Sequence, residues 1–231
     1  DIALSRKTLV HPLAILSRLN RMASDGSIEL ASRIATLLPR AWDLDSEGAT
    51  RLEQTLLSRE PLVRCSLAGA LDEIIHRRGS EALPLIDKLL SDESMDVIRI
   101  ATSSLRLTTN LDSEGFATRC ARLVHLGDSG VSRQFAQTTL RDYMVMHPDD
   151  RKGLTVQLWI EGDEVVRSRL RELLLHMLED YSASLSNILT RISQMDGDNS
   201  LEDFWRILEV RSAETAEAWR NHIEQGTDLP Q

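Results

Sequence analysis

Apolar residues recur along this chain at helical spacing, in pairs of short stretches separated by polar breaks. The first stretch of each pair carries Leu52, Leu56 and Leu57, then Leu83, Ile86, Leu89 and Leu90, then Cys120, Leu123 and Val124, then Leu154, Val156, Leu158 and Ile160. A polar break comes next, such as Ser58-Arg59-Glu60-Pro61 or Glu161-Gly162-Asp163. The second stretch opens on an apolar or small residue followed by arginine: Val63-Arg64, Ile98-Arg99, Ser132-Arg133 and Val166-Arg167. Beyond the arginines come Leu67 and Leu71, Ala101 and Leu105, Ala136 and Leu140, Leu170 and Leu174. These lie three and seven residues on, one face of a helix, except in the third pair, which is slipped one position early. The pattern predicts pairs of amphipathic helices.

The pairs keep a fixed register. The four arginines are 35, 34 and 34 residues apart. Helix-start signals fall at Pro12, Ser46, Ser80, Ser113, Pro148 and Ser182, spaced 34, 34, 33, 35 and 34. Asp45-Ser46-Glu47-Gly48 returns as Asp112-Ser113-Glu114-Gly115, and His11-Pro12 returns as His147-Pro148. An Asp or Ser side chain caps orphan N–H groups, an acid in the first turn answers the helix dipole, and proline tolerates the first turn. A period of this length signals stacked repeats. It divides the chain into units at about residues 11–44, 45–78, 79–111, 112–146, 147–180 and 181–211 of one repeat domain spanning 1–231. Residues 1–10 are expected to end a preceding helix, and 212–231 to form a polar capping helix and tail. In the flanking units Ala31, Ile34 and Leu38, and Leu201, Phe204 and Leu208, take the core positions without the arginine. The uncapped start implies further repeats or domains ahead of Asp1.

Composition sharpens the class. Aromatics make up 4% of the 231 residues while aliphatics abound, which suits helix-on-helix packing. The formal net charge of −9 disfavours general affinity for nucleic-acid backbones. Charge is uneven: positive over residues 1–40, and strongly acidic from Glu179 onward, read as a solvated face. Cys65 and Cys120 stand 55 residues apart with no CxxC and are expected to pack as small hydrophobes in a reducing cytoplasm. No apolar run reaches the length of a membrane span, so no membrane partner is expected.

Two-helix units of about 34 residues occur in tetratricopeptide and HEAT-type arrays. The aromatic, glycine and proline positions of the tetratricopeptide pattern do not recur here. An acidic or glycine break followed by Val-Arg and small apolar residues resembles the second helix of HEAT repeats. The resemblance covers roughly residues 11–210 and is clearest in the four middle units. It implies a right-handed α-solenoid of about six antiparallel helix pairs with second helices lining a concave side. It further implies an arginine ladder between repeats, formed by Arg64, Arg99, Arg133 and Arg167 with acids drawn from Glu60, Asp92, Glu93, Asp96, Asp128 and Asp163.

Candidate chemistry is sparse. His11, His76, His125, His147, His176 and His222 have no i, i+4 partner, and the acidic run at 196–200 lacks the pattern of a calcium loop. No phosphate-binding loop, dinucleotide fingerprint or nucleophile elbow is present. Adjacent acids such as Asp149-Asp150 point to different helical faces and form no catalytic dyad. No catalytic residue, cofactor or metal is therefore expected. Trp159, Trp205 and Trp219 are expected in the core, with Trp42 the least constrained. The resemblance implies a non-catalytic scaffold or recognition surface for a protein or peptide, with Arg106, Gln137, Arg141 and Arg171 as exposed contacts. Two alternatives are a regulatory array of a multidomain NTPase and a HEAT-like DNA-binding protein or glycosylase relative, the latter disfavoured by charge.

Overall fold

The computed structural model describes residues 12–196 and 201–225, and among these every regular element is helical. The helices form two compact units that divide between Leu111 and Asp112, at the expected junction of the third and fourth repeats. The expected helix end at 1–10 and the acidic run beyond Asp196 lie outside the described residues.

The first unit contains α1 (Pro12–Asp25), α2 (Ile28–Ala35), α3 (Leu38–Ala41), α4 (Ser46–Leu57), α5 (Pro61–Gly69) and α6 (Leu71–Arg78). A 3-10 turn at Gly79–Ala82 leads into α7 (Leu83–Leu89), followed by α8 (Met95–Thr102) and a second 3-10 turn at Leu105–Thr108. Like elements of successive repeats pack on each other: α1 on α4, α2 on α5, α5 on α8, and α3 on α6. The second unit contains α9 (Ser113–His125), α10 (Ser129–Thr138), α11 (Leu140–Met146), α12 (Leu154–Glu161), α13 (Glu164–Asp180), α14 (Ser182–Asp196), α15 (Glu202–Arg211) and α16 (Ala213–Gln225). Here α9 meets α12, α10 meets α13, α12 meets α14, and α16 covers α14 and α15.

The second-stretch residues Leu67, Leu71, Ala101, Leu105, Ala136, Leu140, Leu170 and Leu174 are all buried, as are Ala31, Ile34 and Leu38 in the first repeat and Leu201, Phe204 and Leu208 in the sixth. The slipped register of the third repeat therefore still delivers its apolar face inward. Each fully buried leucine contributes about 2 kcal/mol by leaving water. The largest enclosed side chains of the second unit are Trp159, Tyr143, Phe116, Phe135 and Phe204.

Asp45 and Asp112 accept the backbone N–H groups of Gly48 and Gly115 at 2.6 and 2.9 Å, closing α4 and α9. The recurring glycine has a steric cause at the second site: a Cβ at Gly115 would stand 1.9 Å from the Asp112 carboxylate. Ser27, Asp128 and Asp163 cap α2, α10 and α13 in the same manner.

Two features depart from the sequence expectation. First, the second helix of each of the first four repeats is divided: α2 from α3 at Thr36, α5 from α6 at Ala70, α8 from its 3-10 turn at Ser103, and α10 from α11 at Thr139. The breaks fall on residues that weaken helices. Gly69 costs backbone entropy, while Thr36, Thr102 and Thr138 turn their hydroxyls back onto the carbonyls of Arg33, Ile98 and Gln134. In the fifth repeat the matching stretch Arg171-Glu172-Leu173-Leu174-Leu175 consists of strong helix formers, and α13 runs unbroken for 17 residues. Second, the fifth repeat starts its first helix at Leu154, not at Pro148. Residues 147–153 form a loop in which Asp150 (φ 44°) and Gly153 (φ 70°) both adopt the left-handed conformation.

Candidate interaction surface

The four ladder arginines divide into two kinds. Arg64 grips Asp92 of the following repeat with two bonds, Nε at 2.7 Å and a terminal nitrogen at 2.9 Å, and reaches Glu93 at 3.1 Å. Its other terminal nitrogen donates to the Arg59 carbonyl at 2.5 Å. The paired side chains of Arg64 and Asp92 are only 10% and 8% exposed. The neighbouring Asp92 carboxylate pushes the Arg64 guanidinium above its ordinary pKa. Arg133 likewise reaches Asp163 of the next repeat, and that contact, followed by the Val166 N–H, holds the Asp163 carboxyl below the usual range. Arg167 instead donates to the Trp159 and Ile160 carbonyls of its own repeat, both at 3.0 Å, closing the end of α12. Arg99 pairs at 3.1 Å with Asp96 on its own helix.

The four expected groove contacts divide too. Arg106 lies 3.9 Å from Asp72 of the preceding repeat, and Ser104 beside it donates to the same carboxylate. Arg171 bonds Glu164 and reaches Asp203 of the next repeat at 3.4 Å. Both therefore link repeats. Gln137 and Arg141 are exposed and have no hydrogen bond or ion pair among the described residues.

Several linking residues escape the sequence pattern. Arg59 donates to the Ala23, Ser24 and Gly26 carbonyls and so satisfies the end of α1 in the repeat before it. Buried Glu53 lies within 4 Å of Arg78 and of Lys88 in the next repeat, and Arg78 in turn covers the Trp42 ring at 4.1 Å. Trp42 is thus sheathed by a cation. A recoverable signal exists: Asp43 and Arg77, or Asp72 and Arg106, are opposite charges one repeat period apart in sequence.

Asp150 is fully buried in the loop before α12. It accepts the Thr155 and Val156 N–H groups at 3.2 and 3.4 Å and the Tyr143 hydroxyl at 3.4 Å, with Arg191 3.9 Å away. Burial pushes its carboxyl above the ordinary aspartate range, the backbone donors and Arg191 opposing. Trp159, Trp205 and Trp219 are buried, and Arg220 lies 5.9 Å from the Trp205 ring.

Among the described residues no group of three or more His, Cys, Asp or Glu side chains could hold a metal ion, and no helix is long and apolar enough to cross a membrane. Cys120 is buried and Cys65 half-buried; burial raises both thiols, Cys120 the more strongly. At neutral pH a maleimide should leave Cys120 unmodified in the native chain and label it once denaturant is added, as read by intact-mass spectrometry.

A cavity of about 460 Å³ in the second unit lies between α11 and α13. Arg141, Met144 and Val145 form one wall, and the α13 stripe from Arg169 to Asp180 forms the other. Comparison with family models, with curated proteins and with solved structures found no match to this chain.

Proposed function

We propose that this chain is a non-catalytic recognition scaffold for a protein or peptide. Each unit in this reading is a run of right-handed α-solenoid built from HEAT-like helix pairs. The stacking of like elements in successive repeats supports the architecture. The functional reading rests on one observation: Gln137 and Arg141 stand exposed and, among the described residues, unpaired, Arg141 at the rim of a cavity, whereas Arg64, Arg99, Arg106, Arg133 and Arg171 are matched by acids. Arginines already neutralised in this way have little charge left for a phosphate backbone, and the formal net charge of −9 agrees. A pocket with an apolar floor and a polar rim that includes an arginine fits the anatomy of protein recognition.

A photo-crosslinking residue at Gln137, compared with one at exposed Arg51 on α4, tests this in cells that make the protein. The expected result is a discrete polypeptide adduct from position 137 and none from position 51. Adducts to nucleic acid, or none from either position, would overturn the reading. In parallel, fluorescence anisotropy with labelled duplex and single-stranded DNA should show no saturable binding at physiological salt.

A further inference from the structure

The cavity between α11 and α13 has a cause in the sequence. In the first unit the broken second segments match: α3 packs on α6, and α6 packs on the 3-10 turn Leu105–Thr108. In the second unit they do not. The fourth repeat bends at Thr139, where the Thr138 hydroxyl returns to the Gln134 carbonyl, while the fifth carries α13 straight on. The front halves, α10 and α13, remain packed. Behind them α11 and the end of α13 part, leaving about 460 Å³ lined by Met144, Leu173, Met177 and Tyr181. That volume falls within the range of specific ligand sites.

The lining is chemically asymmetric. Met144 and Met177 give an adaptable apolar floor. Arg141 stands on the rim without a partner among the described residues, one helical turn from Val145, which is 54% exposed. Arg169 bonds Glu172 at 2.6 Å through one terminal nitrogen, and its Nε–H is enclosed without an acceptor. Glu172 and Asp180 stand on the opposite wall, and His176 lies between them along α13. Two arginines offset by two carboxylates make the lining close to neutral, which opposes a polyanion such as a phosphate cluster, and with Arg169 held by Glu172 it is Arg141 that offers a place for one negative charge.

We propose that this cavity receives a partner peptide segment in which one aliphatic or aromatic side chain is adjacent to a single carboxylate. The apolar side chain fills the methionine-lined floor, and the carboxylate pairs with Arg141 at the rim. This rests on the peptide-recognition reading and names the partner chemistry for one place in the second unit.

Methyl NMR of the purified full chain, labelled at methionine methyls, tests it with defined probes. A terminally blocked pentapeptide, Ala-Glu-Leu-Ala-Ala, should shift the Met144 and Met177 signals in a saturable manner and leave Met22 and Met95 unmoved. Its Gln analogue should bind at least threefold more weakly, and Arg141→Gln should abolish that preference. Because Arg141 is exposed and unpaired among the described residues, the variant keeps its fold, which an unchanged unfolding midpoint by circular dichroism and an unchanged signal from Met195 of the same unit verify. Equal binding of both peptides, shifts confined to other methionines, or no shift at all would each overturn the proposal. So would saturable binding of 4-phenylbutyrate without peptide binding, which would assign the cavity to a small amphipathic acid. A polypeptide adduct from position 137 together with silent Met144 and Met177 would leave the scaffold reading standing and remove this one.

Discussion

Replacing Arg64 by alanine is expected to lower the stability of the first unit by about 3–5 kcal/mol, the cost of leaving one member of a buried ion pair uncompensated. Arg64 and Asp92 are enclosed where α5 packs on α8, and the guanidinium meets both carboxylate oxygens at 2.7 and 2.9 Å. After the substitution Asp92 keeps the Ser94 N–H at 2.8 Å but loses the charge that justified its burial. The Arg59 carbonyl loses its donor as well. Lysine cannot restore the two-pronged geometry, so Arg64→Lys should recover less than half of the loss. The double variant Arg64→Met with Asp92→Leu should recover most of it, since removing both charges leaves nothing stranded. Arg99→Ala is the control. Its partner Asp96 is 73% exposed and three residues away on the same helix, so the change should stay within about 0.5 kcal/mol. Urea unfolding followed by circular dichroism separates these cases. Equal midpoint shifts for Arg64→Ala and Arg99→Ala would show that the link between the second and third repeats contributes nothing special.

That contrast also shows what a sequence can reveal. A 34-residue register places arginines at equivalent points but does not say where the acids fall. Asp92 lies 28 residues beyond Arg64, and Asp163 lies 30 beyond Arg133. The offsets depend on the length of each break, and in the third repeat Arg99 finds Asp96 one turn back. Apolar positions are more legible because burial demands only a face: Leu67, Leu71, Ala136, Leu140, Leu170 and Leu174 follow from helical spacing alone, and all are buried. The same spacing continues through a kink unaltered. The stripe through Ala136 and Leu140 therefore predicts a single second helix and carries no sign that the helix divides at Thr139. The cavity beside α11 is illegible for that reason. It arises from a difference between two adjacent repeats, one with Thr138-Thr139 and one with Glu172-Leu173 at the comparable place, and each stretch is unremarkable by itself.

The loop 147–153 departs from expectation for a related reason. His147-Pro148 matches His11-Pro12, and Pro12 does open α1, so the same dipeptide predicts a helix at Pro148. The residues beyond the proline decide the outcome. Leu13 and Ala14 continue α1, whereas Asp149-Asp150-Arg151-Lys152-Gly153 places five polar or flexible residues after Pro148, and two of them take left-handed backbone. The helix is delayed until Asp150 can fold back and cap it.

Asp150→Ala is therefore expected to be the most damaging single change in the second unit outside its apolar core, costing about 3–5 kcal/mol. Two losses combine. The Thr155 and Val156 N–H groups and the Tyr143 hydroxyl lose a buried acceptor, and each stranded donor costs about 1–3 kcal/mol, less where a neighbour or water can move in. Alanine must also hold the left-handed backbone at φ 44°, at a cost of about 1 kcal/mol. Asp150→Asn behaves differently. Asparagine tolerates this backbone and its one oxygen can still accept from Thr155 and Tyr143, but its NH2 then faces the Val156 N–H, so its midpoint should fall between those of the unchanged chain and Asp150→Ala at neutral pH. The pH dependence distinguishes the two roles of the carboxyl. Because burial raises the folded-state pKa, the folded chain binds a proton more readily than the unfolded one between the ordinary aspartate value of 3.8 and the raised value. The contribution of Asp150 to stability is thus greatest below the unfolded pKa and falls as pH rises through the folded pKa. Half-buried Asp112, Asp149 and Asp163, whose carboxyls are held low, contribute with the opposite sign, and that stability is lost as the solution is acidified. The difference in unfolding free energy between the unchanged chain and Asp150→Asn, measured from pH 4 to 8, isolates the first effect. It should tilt toward Asn as pH rises and level off once Asp150 is ionised. A flat difference over that range would mean that the carboxyl is ionised throughout, stabilised by Arg191 and the α12 N-terminus against its burial.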